Sequence, residues 1–153
     1  MRSDKPASLI ALLLVMAAML CSAPAGAQTS GAAPTATGKW KGTRTVTGQT
    51  GGPEEFKVHS ISFELAQSGT KVTGSYRCYA GKKANIDCNN PVGNITDGKM
   101  TKDGIMMQVQ AMPNDLQCTF TGLVEAAKMH GRYSCYAGGS FATTGVWEVH
   151  RAE

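Results

Sequence analysis

The sequence predicts an all-β fold: a single antiparallel up-and-down β-barrel of about eight strands, stapled by disulfides. Three observations carry this reading. A segment occurs twice, because residues 71–81 read K-V-T-G-S-Y-R-C-Y-A-G and residues 128–138 read K-M-H-G-R-Y-S-C-Y-A-G, so Lys, Gly, Tyr and Cys-Tyr-Ala-Gly recur at an offset of 57. Short stretches of period-2 apolar alternation follow one another, divided by Gly, Asp and Pro turn signals, without an amphipathic helical period. Four cysteines stand beyond the N-terminal segment, Cys78, Cys88, Cys118 and Cys135, an even count that in a small exported chain reads as a disulfide framework. A chain of successive hairpins removes its exposed edges by closing on itself.

Taken in order, residues 1–27 read as a secretory signal: Arg2 and Lys5 make a basic start, Ala7 to Leu20 an apolar run, and Ala25-Gly26-Ala27 a small-x-small cleavage site. That run falls short of the roughly 20 residues that span a bilayer, so no transmembrane segment is expected in the mature chain, which is placed in the periplasm or outside the cell. Cys21 raises lipid attachment as a rival, against which stands Leu20, since the preceding residue would have to be small. Residues 28–37, Q-T-S-G-A-A-P-T-A-T, read as a flexible leader, and residues 38–153 as the barrel domain.

The first strand runs from Gly38 to Val46, with Trp40, Gly42, Arg44 and Val46 on one face and Trp40 plugging one end of the core. A Gly-rich connection covers Gly48 to Pro53. The first hairpin spans roughly residues 56–79: Ile61, Phe63 and Leu65 face inward, the chain turns at Ser68-Gly69, and Val72, Tyr76 and Cys78 return on the same side. Residues 80–91 form a loop. A further hairpin covers Val92 to Met112 around Lys102-Asp103-Gly104, with Ile105, Met107 and Val109 on one face of its return strand and Met106, Gln108 and Gln110 on the other. Pro113-Asn114-Asp115 leads into the second copy, Gly138-Gly139 breaks it, and a last strand runs from Gly145 to Arg151. Val124 to Met129 contains good helix formers, but six residues between two strand patterns make a turn.

The repeat selects among the three pairings that four cysteines allow. If the second hairpin turns at Glu125 to Lys128, facing residues are Val124 with Met129, Gly122 with Gly131, Phe120 with Tyr133, and Cys118 with Cys135. Facing Cα atoms lie within the range a disulfide spans. The position matching Cys118 in the first copy is Ile61, so Cys78 has no thiol across its hairpin and pairs with Cys88.

The opening G-K-W at 38–40, S-G-T-K-V-T-G-S-Y at 68–76 and the closing W-E-V-H-R at 147–151 resemble the calycin group of small barrels, in its avidin-like and lipocalin-like patterns. The resemblance implies a barrel whose open end holds a small apolar ligand, with Tyr76 matching the Tyr that holds the ligand's polar head in avidin-like proteins. Those proteins wall their ligand with several tryptophans, whereas only Trp40 and Trp147 occur here, so biotin is not the expected ligand.

Tyr76, Tyr133, Met107 and Trp147 are the candidate ligand-binding residues, with Met100, Met112 and Met129 as further lining of an adaptable apolar cavity. An arginine packed on a tryptophan to close a barrel end is expected of Arg44 or Arg151. No catalytic residues and no cofactor are assigned. His59, His130 and His150 are isolated in sequence, no C-x-x-C pair or His stands at zinc-ligand spacing, and Ser140 lacks the downstream Gly of a nucleophile elbow. Glu54-Glu55 reads as solvated loop charge, and Asn94-Ile95-Thr96 fits a glycosylation sequon that matters only in a eukaryotic secretory pathway. Loss of the signal takes two cations and one anion from a net charge of +4, leaving +3. Those charges are scattered, which disfavours nucleic acid. Two partners remain: a small apolar or amphipathic molecule, bound without being transformed, or an extracytoplasmic protein. The first requires a hollow interior of a few hundred cubic ångströms. The second would resemble calycin-like barrels of the bacterial metalloprotease-inhibitor type, which act by inserting an N-terminal segment into an enzyme's cleft.

Overall fold

The computed structural model describes residues 34–50, 57–79, 88, 92–112 and 115–153. The expected signal (1–27), most of the leader, Glu54-Glu55, most of the 80–91 loop and the turn residues Pro113-Asn114 lie outside them. Eight strands follow in order: β1 Gly38–Gln49, β2 Val58–Ser68, β3 Lys71–Tyr79, β4 Val92–Thr101, β5 Gly104–Met112, β6 Leu116–Val124, β7 Lys128–Ala137 and β8 Ser140–Arg151. Each pairs antiparallel with its successor, and β1 pairs with both β2 and β8, so the sheet closes into an up-and-down barrel. The closure is consistent with a calycin-like barrel, as the motifs implied.

The expected second hairpin forms in its expected register: Val124 faces Met129, Phe120 faces Tyr133 and Cys118 faces Cys135. Both disulfides, Cys118–Cys135 and Cys78–Cys88, are the expected ones, with Cα atoms 4.0 and 5.4 Å apart. In the first copy Ile61 faces Cys78, which leaves that thiol for Cys88.

Two strands exceed their sequence-based bounds. Gly48 and Gln49 belong to β1 rather than to a loop, because a bulge between Val46 and Gly48 keeps them paired with Thr144 and Thr143 of β8. The last strand starts at Ser140 rather than Gly145. Its small and hydroxylated residues lack apolar alternation, yet they pair with β7 on one side and with the end of β1 on the other. Gly138 and Gly139, with φ of 56° and 80°, supply the two-residue turn that makes this possible.

One end of the barrel is closed, by the side chains proposed for it. Trp40 is fully buried, and its indole Nε1–H donates to the Ala36 carbonyl at 2.8 Å. The Arg151 guanidinium lies over the Trp40 ring, 4.2 Å from its centroid. Its nitrogens donate to three carbonyls: Ala126 at 3.1 Å, Thr37 at 2.6 Å and Thr35 at 2.9 Å. Gly38, at φ 135°, makes room, since a Cβ there would stand 2.7 Å from Arg151 Nη1. Gln67 adds a clamp: its Oε1 accepts from Ala36 N at 2.8 Å, and its backbone N donates to Thr37 Oγ1 at 2.9 Å. The last residues of the stretch read as a flexible leader are thus held against the barrel, because their backbone groups satisfy a forked cation and a carboxamide.

Arg151→Ala should therefore lower stability by about 2 kcal/mol, three hydrogen bonds to a charged donor plus a cation–π contact discounted for exposure. Arg151→Lys should recover less than half of that, since an ammonium keeps the charge but not the fork. Urea unfolding of both variants reads it. Full recovery by lysine would mean that charge alone closes this end.

Candidate functional site

Alternation sends every second side chain into the barrel, and the four predicted ligand residues all point inward. Tyr76 and Tyr133 are 1% exposed, Met107 0% and Trp147 2%. They converge on one residue. The Phe120 ring lies 5.3 Å from Tyr76, 5.6 Å from Tyr133 and 5.8 Å from Trp147, and Met107 is its partner across β5–β6. Phe63 joins them, 5.3 Å from both Tyr76 and Phe120 and 5.8 Å from Trp147. Tilted, edge-to-face and stacked rings at these separations are in contact, so Phe120 and Phe63 pack among the residues expected to line a cavity. Met129 is buried in the same core and Met100 packs against it. The Met112 side chain lies outside what the structure describes.

Trp147 also has its polar edge satisfied. Its Nε1–H is shared between the carbonyls of Arg132, at 3.0 Å, and Thr121, at 3.2 Å, which anchors the indole to β6 and β7 from inside.

Toward the end away from the plug the inner wall becomes polar. Arg44, which faces His59 across β1–β2, and Thr143, which faces Cys135 across β7–β8, are buried there. Arg44 lies with its guanidinium carbon 4.9 Å above the Tyr133 ring, and its Nη1 is 3.5 Å from Cys135 Sγ. Its role thus differs from that of Arg151: Arg151 stacks on a tryptophan at the rim, while Arg44 is a charge inside the barrel. The sequence carried a signal for this, since Arg44 has the parity of Trp40 and Val46 on β1, and His59 that of Ile61 and Phe63 on β2.

The other two histidines face outward. His130 Nε2 lies 3.2 Å from Glu125 Oε1, and His150 Nε2 3.1 Å from Glu148 Oε1, beside the Lys128–Glu148 pair at 3.7 Å. Among the described residues no group of three or more His, Cys, Asp or Glu side chains stands close enough to hold a metal ion, and no helix is long and apolar enough to cross a membrane.

The outer wall carries grooves of about 270 to 360 Å³. One runs over β1–β3 between Lys39, Lys41, Glu64, Arg77 and Tyr79. Another crosses β4–β7 and is lined by Thr96, Gln108, Gln110, Gln117, Thr119 and Tyr136.

No protein-family model matches the chain, and no curated protein matches it.

Proposed function

We propose that the protein is an exported, non-catalytic calycin-like barrel that acts by binding another extracytoplasmic protein through the chain segment leading into its plug. The observation that carries this is the pairing of an aromatic-filled interior with a clamped entry segment. Phe120 and Phe63 pack against Tyr76, Tyr133 and Trp147 inside the barrel, whereas Thr35, Ala36 and Thr37 are fixed by Arg151 and Gln67. A segment whose last residues are already fixed loses less freedom on binding than a wholly free tail does, which favours affinity. The residues before it, Gln28 to Ala33, are small and uncharged, fit to enter a narrow cleft. The two disulfides accord with an oxidising compartment, periplasmic or outside the cell.

The test compares residues 28–153 with residues 34–153 as inhibitors of a panel of secreted zinc metalloproteases. The shorter chain keeps the plug, so its fold stays intact. Loss of about a hundredfold in inhibition, roughly 2.7 kcal/mol, is the expected result. Equal inhibition by both chains, or none by either against the whole panel, would remove the proposal.

A second reading has its own observation in its favour. Arg44 and His59 face each other across β1–β2 and are buried at the end away from the plug, and a few polar side chains set in an apolar wall accord with a site for a small amphipathic molecule. A molecule retained by the purified protein would favour that reading over the first.

A further inference from the structure

The outward face of β5 and β6 differs from the rest of the wall. Neither strand contains a charged residue, whereas each of the other six carries at least one Lys, Arg, Asp or Glu. Solvent-facing strands ordinarily use charges for solubility. Here amides and hydroxyls stand in their place on Gln108, Gln110, Gln117, Thr119 and Thr121, beside the half-buried Met106 and the exposed Leu123, and the register arranges the amides in rows. Asn94 faces Gln110, Gln110 faces Gln117, Gln117 faces Tyr136, and Tyr136 faces Phe141, one row across five strands. The row beside it runs Gln108, Thr119, Ser134, Thr144. With strands about 4.8 Å apart, three carboxamides and a ring are spaced evenly over about 14 Å.

Between these rows lies the groove of about 310 Å³ over β4–β7. At its lip Tyr136 and Phe141, 45% and 40% exposed, meet edge to face with centroids 6.0 Å apart, which fixes the Tyr136 ring as a platform. Gln110 Nε2 is 3.4 Å from Asp115 Oδ1 at the groove's margin, which orients that carboxamide. Asp97, opposite Gln108, marks the other margin.

A carboxamide offers an oxygen acceptor and two N–H donors side by side. Neighbouring sugar hydroxyls, each a donor and an acceptor, are its complement. The C–H face of a pyranose ring packs on an exposed aromatic ring, and neither partner needs a charge. A protein partner would call for an apolar centre rich in aromatic residues, Met and Arg, whereas Tyr136 and Phe141 stand at the lip and the centre is carboxamides and hydroxyls; a nucleic acid would call for clustered cations. We propose that this wall is a binding groove for a neutral oligosaccharide, whose hydroxyls are held by Gln108, Gln110 and Gln117 and one of whose rings stacks on Tyr136. The groove is independent of the segment before the plug, so either assignment can fail without the other.

The test is a titration of ¹⁵N-labelled protein, followed by amide shifts, with tetrasaccharides of N-acetylglucosamine, of β-linked glucose and of α-linked glucose. At least one sugar should move the amides of Gln108, Gln110, Gln117, Thr119 and Tyr136. Tyr136→Ala should weaken that binding about tenfold or more, about 1.4 kcal/mol. Lys41→Ala, on another wall, and about 0.5 M NaCl should leave it unchanged. If Tyr136→Ala fails to fold, as peak dispersion would reveal, Gln117→Ala takes its place with the same expectation. The assignment is overturned if no sugar of the three shifts these amides, if the shifts map to another wall, if binding survives whichever of the two substitutions folds, or if the same amides respond to protein concentration alone, which would make the occupant a second copy of the chain.

Discussion

Phe120→Ala is expected to cost about 3–5 kcal/mol, the range for truncating a large aromatic in a packed core. Phe120 is 0% exposed and touches the rings of Phe63, Tyr76, Tyr133 and Trp147, and each lost ring contact adds to the transfer cost. The rings cannot collapse into the space, because Trp147 is tied at its Nε1 to β6 and β7 and the strands around it are closed into a barrel. Thermal unfolding should show Tm falling by more than about 10 °C. A loss below about 1 kcal/mol would mean that the interior has slack, the condition for an internal ligand.

Removing the Cys118–Cys135 bridge by the paired change to alanine is expected to cost about 2–4 kcal/mol. A loop of about 15 residues is worth about 3 kcal/mol in the chain-entropy account, and this one has a sequence separation of 17. The two residues already face each other across β6 and β7, so the native strands should re-form with little distortion and the loss should lie in the unfolded chain. Arg44 adds a local term, since its Nη1 is 3.5 Å from Cys135 Sγ and the substitution leaves a buried cation short of one partner. Denaturant midpoints of the oxidised parent and the paired variant measure the loss. Peptide mapping without reductant should likewise recover Cys78 joined to Cys88. A peptide joining Cys78 to Cys135 would contradict the register of both hairpins.

The repeated segment made the architecture legible. A period of two residues on Ile61, Phe63 and Leu65, and a constant offset between the copies, together fix a register, and register decides which thiols meet. The Trp40 plug was legible for a related reason: a bulky ring at the first inward position of a barrel has one end to fill. What the sequence could not reveal was occupancy. Inward parity places Tyr76, Tyr133, Met107 and Trp147 on the inner wall, but whether side chains from opposite strands meet across the axis depends on the shear of the closed sheet, which no local pattern encodes. Phe120, Phe63 and Trp147 do meet. The burial of Arg44 was masked by its type, since an arginine on a strand ordinarily keeps its head in water. The limits of β1 and β8 escaped because Gly48, Thr143 and Thr144 pair across bulges without apolar alternation, helped by the Thr144 and Thr50 hydroxyls, which donate to the Tyr133 and Phe141 carbonyls.

The central claim is that the barrel's interior is occupied by its own aromatic side chains, which leaves binding to surfaces outside it. Native mass spectrometry of the protein purified from its own host tests this most directly. The account predicts the mass of the mature chain with two disulfides and no retained small molecule. A stoichiometric small molecule, lost when Tyr76 and Tyr133 are both changed to alanine, would contradict it.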